Sequence, residues 1–299
     1  MRRLIVCITV LWMGSMAPIQ AQSVEGADGV MVEVDDATRV VALGGSVTET
    51  VYALGAGSQV VGVDLSSGYP PEVSDVAQLG YFRRLSAEGV ISLAPTLVLA
   101  SEGTGPPAVI DQIRSAGVPM LIVPSDPSVE GTKAKIRLVA EALQREEEAE
   151  ALIADMEADM ATAGQWLDGA AEKPRVLFIY ARGAGTANVA GVETSADTMI
   201  RLAGGENAVQ DFSGFRPLTP EAVVQVAPDV ILMMEKGLES IGGVDGLMEL
   251  PGVSLTPAGR NRSVVAIDDL LLLGFGPRLG QAVLELARGL HPEHNTSKL

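Results

Sequence analysis

The chain has 299 residues, 38 acidic against 21 basic side chains, a formal charge of −17 and one cysteine. So acidic a balance excludes nucleic acid and anionic membrane surfaces as partners, and it disfavours an anionic ligand unless local arginines supply the counter-charge. Histidine occurs only at His291 and His294, read as a polar tail, so imidazole-built metal sites, Ser-His-Asp triads and Cys-His pairs are excluded from the body.

The first residues read as an export signal. Arg2 and Arg3 open a basic n-region, residues 4–13 form an apolar h-region, and Ile19-Gln20-Ala21 offers a cleavage site before Gln22. That apolar run is too short for a spanning helix, which needs about 20 residues. Cys7 lies inside it without a lipobox-like context, so cleavage leaves no thiol in the mature chain. Losing Arg2 and Arg3 moves the formal charge from −17 to −19. No later stretch is long and apolar enough for membrane insertion.

Residues 22–38 are polar and acidic without a clear period, and read as a flexible lead-in. A first lobe is expected over residues 39–130. There, β-branched runs at 39–43, 59–63, 96–100 and 120–123 read as strands. They alternate with helical stretches at 46–54, 85–93 and 106–116, the pattern of a parallel sheet covered on both faces. Gly44-Gly45 matches neither the P-loop nor the dinucleotide fingerprint, and a tight strand–helix turn explains it better.

From about 132 to 167, apolar residues recur every three or four positions: Ile136, Val139, Leu143, Leu152, Ile153, Met156, Met160, Leu167. The charged stretch 144–150 reads as a solvated mid-section. One helix over 131–168 is predicted, whose periodic stretch of about 36 residues reaches on the order of 54 Å at ~1.5 Å per residue, long enough to run past two lobes. Strand–helix alternation then resumes over 174–292, with strands at 175–180, 230–234 and 263–267 and helices at 195–202, 220–226 and 276–289. Residues 293–299 read as a polar tail.

An internal repeat supports two equivalent lobes. Leu85-Ser86-Ala87-Glu88-Gly89-Val90, ending in Ala94-Pro95 and an apolar run, aligns with Leu218-Thr219-Pro220-Glu221-Ala222-Val223, ending in Ala227-Pro228. The implied fold class is α/β: two Rossmann-like lobes with parallel-type sheets, bridged by one long rigid α-helix.

That layout resembles the binding proteins of haem, siderophore and cobalamin importers, whose lobes are joined by a single helix. Ser46-Val47-Thr48-Glu49 and the two Glu-containing repeats are general features of that family. More specific are Leu79-Gly80-Tyr81-Phe82-Arg83-Arg84-Leu85, Ala100-Ser101-Glu102-Gly103 and Leu272-Leu273-Gly274-Phe275-Gly276-Pro277-Arg278, which look like its haem branch. The resemblance implies that Tyr81 is an axial iron ligand. Some relatives place a second ligand, a histidine, in the other lobe; the comparable Ala181-Arg182-Gly183-Ala184-Gly185-Thr186 has none, so a single protein ligand is expected.

A phenolate is a recognised haem ligand, although a free tyrosine titrates near pH 10. Arg83, two residues on, could donate to the phenolate oxygen and favour the charged form. The plainer alternative is an ordinary loop tyrosine. Haem, here a b-type group carried as cargo, needs apolar walls and one or two cations. Phe275 is a candidate wall, and Arg84, Arg216 and Arg278 are candidate propionate partners; core packing and surface ion pairs are the corresponding alternatives. Glu88 and Glu221 fit either dipole-stabilised helix starts or, as the resemblance implies, docking points for the two subunits of an inner-membrane ABC permease. The remaining expectations are periplasmic location, a monomer, no catalysis, small lobe movements and an indirect link to an outer-membrane haem receptor. A siderophore or cobalamin binder of the same fold is the alternative.

Overall fold

The computed structural model describes residues 22–168, 170, 172–183 and 187–292. The expected export signal, the tail at 293–299 with His294, and Ala184-Gly185-Thr186 lie outside the described residues.

The chain opens with β1 (Gln22–Glu25) and β2 (Met31–Val34), an antiparallel hairpin. The flexible lead-in is therefore corrected. Val24, Val32 and Val34 are buried in the core of the first lobe, and Ala27 N–H donates to Ile122 O at 2.8 Å. Fully burying a valine contributes roughly 1.5–3 kcal/mol, enough to hold an otherwise acidic segment in place.

The first lobe then follows the alternation read from sequence. It comprises β3 (Val40–Leu43), α1 (Gly45–Ala53), β4 (Val60–Val63), β5 (Ala77–Gln78), α2 (Ala87–Ser92), β6 (Leu97–Ser101), α3 (Pro107–Ser115), β7 (Met120–Val123) and α4 (Val129–Leu143). Its sheet runs β5-β4-β3-β6-β7, all parallel. Both faces are covered, so β3, β6 and β7 are buried at every position, as unbroken apolar runs require.

The connecting segment differs from its expected form. Gln144 takes a left-handed conformation at φ 55°, and Arg145 N–H reaches back to Ala140 O, which ends α4. A new helix, α5 (Glu146–Leu167), starts with Glu146, Glu147 and Glu148 in its first turn, where carboxylates favour the positive end of the helix dipole. The charged stretch read as a solvated mid-section is thus a helix start. α4 belongs to the first lobe, and α5 is the bridge. Its Ala149 and Ile153 enter the first core, Met156 and Ala163 the second. At ~1.5 Å per residue the bridge spans roughly 33 Å.

The second lobe contains β8 (Arg175–Ala181), β9 (Ala187–Ala190), α6 (Ser195–Leu202), β10 (Glu206–Asn207), β11 (Phe215–Pro217), α7 (Pro220–Val226) and β12 (Val230–Met234). It continues through α8 (Glu235–Ser240), α9 (Gly243–Glu249), α10 (Pro257–Asn261), β13 (Val264–Ile267), α11 (Asp269–Leu273) and α12 (Leu279–Leu290). The sheet order is β11-β9-β8-β12-β13, with β8, β12 and β13 parallel and β9 antiparallel to both of its neighbours. α12 packs closely on α5, where a Cβ at Gly280 would sit 2.7 Å from Met156 O. His291 caps α12 and is buried beside Gly204, so it belongs to the second lobe rather than to a tail.

The repeat is structural as well as sequential. Ser86 and Thr219 accept hydrogen bonds from Gly89 N–H and Ala222 N–H at the starts of α2 and α7. Ala94 and Ala227 follow these helices with φ of 45° and 41°. Arg39, just before β3, donates to the carbonyls of Leu93 and Ala94, and Arg175, the first residue of β8, donates to that of Val226.

Candidate functional site

In parallel sheets of this kind ligands bind beyond the carboxyl ends of the strands. At that edge of the first lobe one buried side chain organises three loops. Asp64, fully buried after β4, accepts from Gly44 N–H at 2.8 Å, Ser66 N–H and Oγ at 3.0 Å, Ser67 Oγ at 3.1 Å and Phe82 N–H at 3.4 Å. Leu65 N–H to Gly80 O at 2.8 Å closes the same junction. Gly80, at φ 80°, then turns the chain into Tyr81.

The result is a tyrosine on a fixed loop with its ring in reach of solvent. Tyr81 is 43% exposed, whereas its neighbour Phe82 is buried and meets it edge-on at 5.1 Å between centroids. Arg83 lies over the Phe82 ring at 5.0 Å and against Gly103, where a Cβ would come within 3.0 Å of its guanidinium. Phe82 and Gly103 thus hold the Arg83 head beside the loop. Arg84 is exposed. In the second lobe, Arg182 follows β8 directly and stacks over Tyr180, and exposed Arg216 stacks over Phe212 at 4.3 Å. Among the described residues none of these four arginines forms a salt bridge. In a chain of net charge −17, Arg83 and Arg84 in the first lobe and Arg182 and Arg216 in the second are cations outside any salt bridge, the kind of counter-charge an anionic ligand needs.

Two expected cleft residues lie elsewhere. Phe275 is only 2% exposed, with φ 49°, and packs in the second core, so it is not a cleft wall. Arg278 is committed to Glu49 of α1 through two bonds of 2.9 and 3.0 Å and stacks on Tyr69 at 3.6 Å. A guanidinium so engaged is a poor propionate partner. Both residues instead build the seam between the lobes.

That seam has a second polar element. Lys135 of α4, among the largest fully buried side chains of the described residues, donates from Nζ to Ser46 Oγ at 3.0 Å and, across the lobes, to Phe275 O at 2.9 Å and Gly274 O at 3.4 Å. Thr132 Oγ1 adds a bond to Phe275 O at 3.1 Å. Burial pushes the Lys135 ammonium down to about 8, against the upward pull of the Glu49 and Asp126 carboxylates. Gly45 completes the contact, since a Cβ there would fall 2.7 Å from Leu270 Cδ1 of the other lobe.

A cavity of about 690 Å3 opens along this seam. Leu152 and Met156 contribute apolar wall, and Glu49, Glu72, Asp155 and Asp159 face a single cation, Arg278. Tyr81 is not part of it. Four carboxyl groups against one guanidinium oppose a dianionic ligand, so this cavity and the Tyr81 edge suit different chemistries.

Glu88 and Glu221 sit at corresponding places, each exposed in the first turn of its capped helix, α2 and α7. Asp64, Lys135, Glu49 and Arg182 were not singled out as site residues from sequence. Only Glu49 stood within a recognised motif, and nothing local marks a lone Asp or Lys as buried.

Two α/β lobes, joined by one bridging helix and facing each other across strand ends, define a substrate-binding protein of the bilobal type. No helix among the described residues is long and apolar enough to cross a membrane. Residues 40–271 match the model of the periplasmic binding protein family, and the chain belongs to that family. Its members are substrate-binding proteins of transport systems, not enzymes. The solved structure of the periplasmic heme-binding protein RhuT from Roseiflexus sp. RS-1, in apo form, is 48% identical; the match covers 87% of this chain and 100% of that one, with a TM-score of 0.83. An uncharacterized ABC transporter substrate-binding lipoprotein, YvrC of Bacillus subtilis (strain 168), is 30% identical over 85% of this chain and 80% of its own. A cobalamin-binding protein of Halobacterium salinarum is 27% identical over 85% of this chain and 69% of its own.

Proposed function

We propose that this protein is exported to the periplasm, captures haem between its lobes with Tyr81 as the iron ligand, and hands it to an inner-membrane ABC permease. The observation that carries the reading is the Tyr81 loop. An exposed phenol stands on backbone pinned by Asp64, at the ligand edge of a parallel sheet, with Arg83 and Arg84 following it in the same loop. Similarity to a heme-binding protein at 48% identity supports the same cargo.

The residues divide the work by chemistry. Tyr81 supplies a hard anionic oxygen to ferric iron. Arg83, stacked on Phe82 and lying against Gly103, keeps a cation on the same loop two residues from the iron ligand. Arg84, Arg182 and Arg216 remain for the propionates. His291, buried at the end of α12 beside Gly204, is remote from the strand-end cleft and leaves the iron to Tyr81. The seam of Lys135, Thr132, Glu49 and Arg278 keeps lobe movement small. Glu88 and Glu221 dock one lobe each onto the permease, where charge complementarity sets register and encounter rate. The loaded protein acts as a monomer.

Cobalamin is the second reading, favoured by the 27% identity to a cobalamin-binding protein. Parallel titrations with hemin and cyanocobalamin separate the two. A Soret shift that saturates with hemin, and no response to cyanocobalamin, supports haem; the reverse result overturns it.

A further inference from the structure

Among the described residues few large apolar side chains are exposed, and two of them occupy the same place in the two lobes. Ile91 is 36% exposed and Val224 is 41% exposed. Each lies three residues after a repeat glutamate, Glu88 and Glu221, within α2 and α7. Residues three apart share a helix face, so each lobe presents a carboxylate beside an aliphatic side chain. The preceding residues, Val90 and Val223, are buried at 0% and 1% and anchor the helices from below. Cap and exit also recur, through Ser86 with Ala94 and Thr219 with Ala227. Core packing explains the inward valines; it leaves the outward pair unexplained.

A surface built twice, once per lobe, is complementary to a partner that presents one surface twice, as a pair of like subunits does. The carboxylates select cations on that partner, and the aliphatic groups select an apolar contact next to each cation. We infer that Glu88 with Ile91, and Glu221 with Val224, form two equivalent composite docking points, each taking a basic side chain set beside an apolar recess on a two-subunit membrane partner. This rests on the permease-docking reading above and adds its apolar half. A charge alone steers encounter, whereas water-excluding contacts around it set how long the complex lasts.

The test measures association and dissociation of haem-loaded protein on the permease–ATPase complex from the same genome, held in nanodiscs, at low and at high salt. Ile91→Thr/Val224→Thr should dissociate about ten-fold faster with little salt dependence, its hemin titration unchanged. Glu88→Gln/Glu221→Gln should associate more slowly, by a factor that shrinks as salt rises. Met31→Thr, which removes another exposed apolar side chain, on β2, should change neither rate. If the threonine pair behaves as the parent while the glutamine pair associates slowly, the apolar half is wrong and charge docking stands. Faster dissociation in Met31→Thr as well would also overturn it, by making the effect one of general hydrophobicity. If no variant alters either rate, docking through these helices falls, and the composite surface with it.

Discussion

Glu49→Gln tests whether the lobes are fastened by charge. Glu49 is 4% exposed and Arg278 20% exposed at the side chain, and they meet through two bonds of 2.9 and 3.0 Å. Removing one member of a buried pair costs about 3–5 kcal/mol, because the other charge is stranded. Here one fifth of the Arg278 side chain still reaches solvent and its guanidinium keeps the Tyr69 ring at 3.6 Å, so about 2–3 kcal/mol is the expected loss. Arg278→Gln alone should cost a similar amount. The double variant strands no charge and should cost no more than either single variant, giving a coupling of at least about 2 kcal/mol in a double-mutant cycle. Urea unfolding of the four proteins reads these values. Small-angle scattering should show wider lobe separation in the single variants than in the parent. Additive losses with unchanged scattering would refute the claim that this pair fixes the lobe angle.

Other expectations follow from the same geometry. Lys135 titrates at about 8 in the fold against its ordinary 10.5, a gap of about 3 kcal/mol. Between those values the unfolded chain still binds a proton that the fold has released, so stability relative to Lys135→Met should rise by about 3 kcal/mol from pH 7.5 to 11; a flat or falling difference in urea midpoints contradicts the buried ammonium. Asp64→Asn puts an amide donor against N–H groups that now meet an acceptor. It should weaken hemin binding about ten-fold while keeping the parent's ligation spectrum; unchanged affinity would mean that the Tyr81 loop does not depend on Asp64. Ala94→Gly and Ala227→Gly relieve positive φ at equivalent sites, and each should stabilise by up to about 1 kcal/mol in thermal melts. Opposite signs at the two positions would break the equivalence.

The parts of the fold that were legible in the sequence are those governed by periodicity. β6, β7 and β12 are buried on both faces and show as unbroken apolar runs, so their positions were readable within a residue. The hairpin was not, because each strand is four residues long and its buried valines alternate with acidic and polar neighbours. Gln144 carries no mark of a helix end, since its left-handed turn is stabilised by backbone bonds to residues already placed. At the site, family-like motifs led to Tyr81 and to the paired glutamates, but a motif does not say which way a loop side chain points. Phe275 and Arg278 sit in such a motif and turn inward, one to the core and the other to Glu49. Asp64 and Lys135 act through burial and long-range partners, at sequence separations that no local pattern spans.

The most direct test of the central claim is the visible spectrum of ferric haem bound to the parent and to Tyr81→Phe, which keeps the ring and removes only the oxygen. The parent should show a saturable Soret shift with a phenolate-to-iron charge-transfer band. In the variant that band should vanish and affinity should fall at least ten-fold. Identical spectra and affinities for the two proteins would show that Tyr81 does not bind the iron.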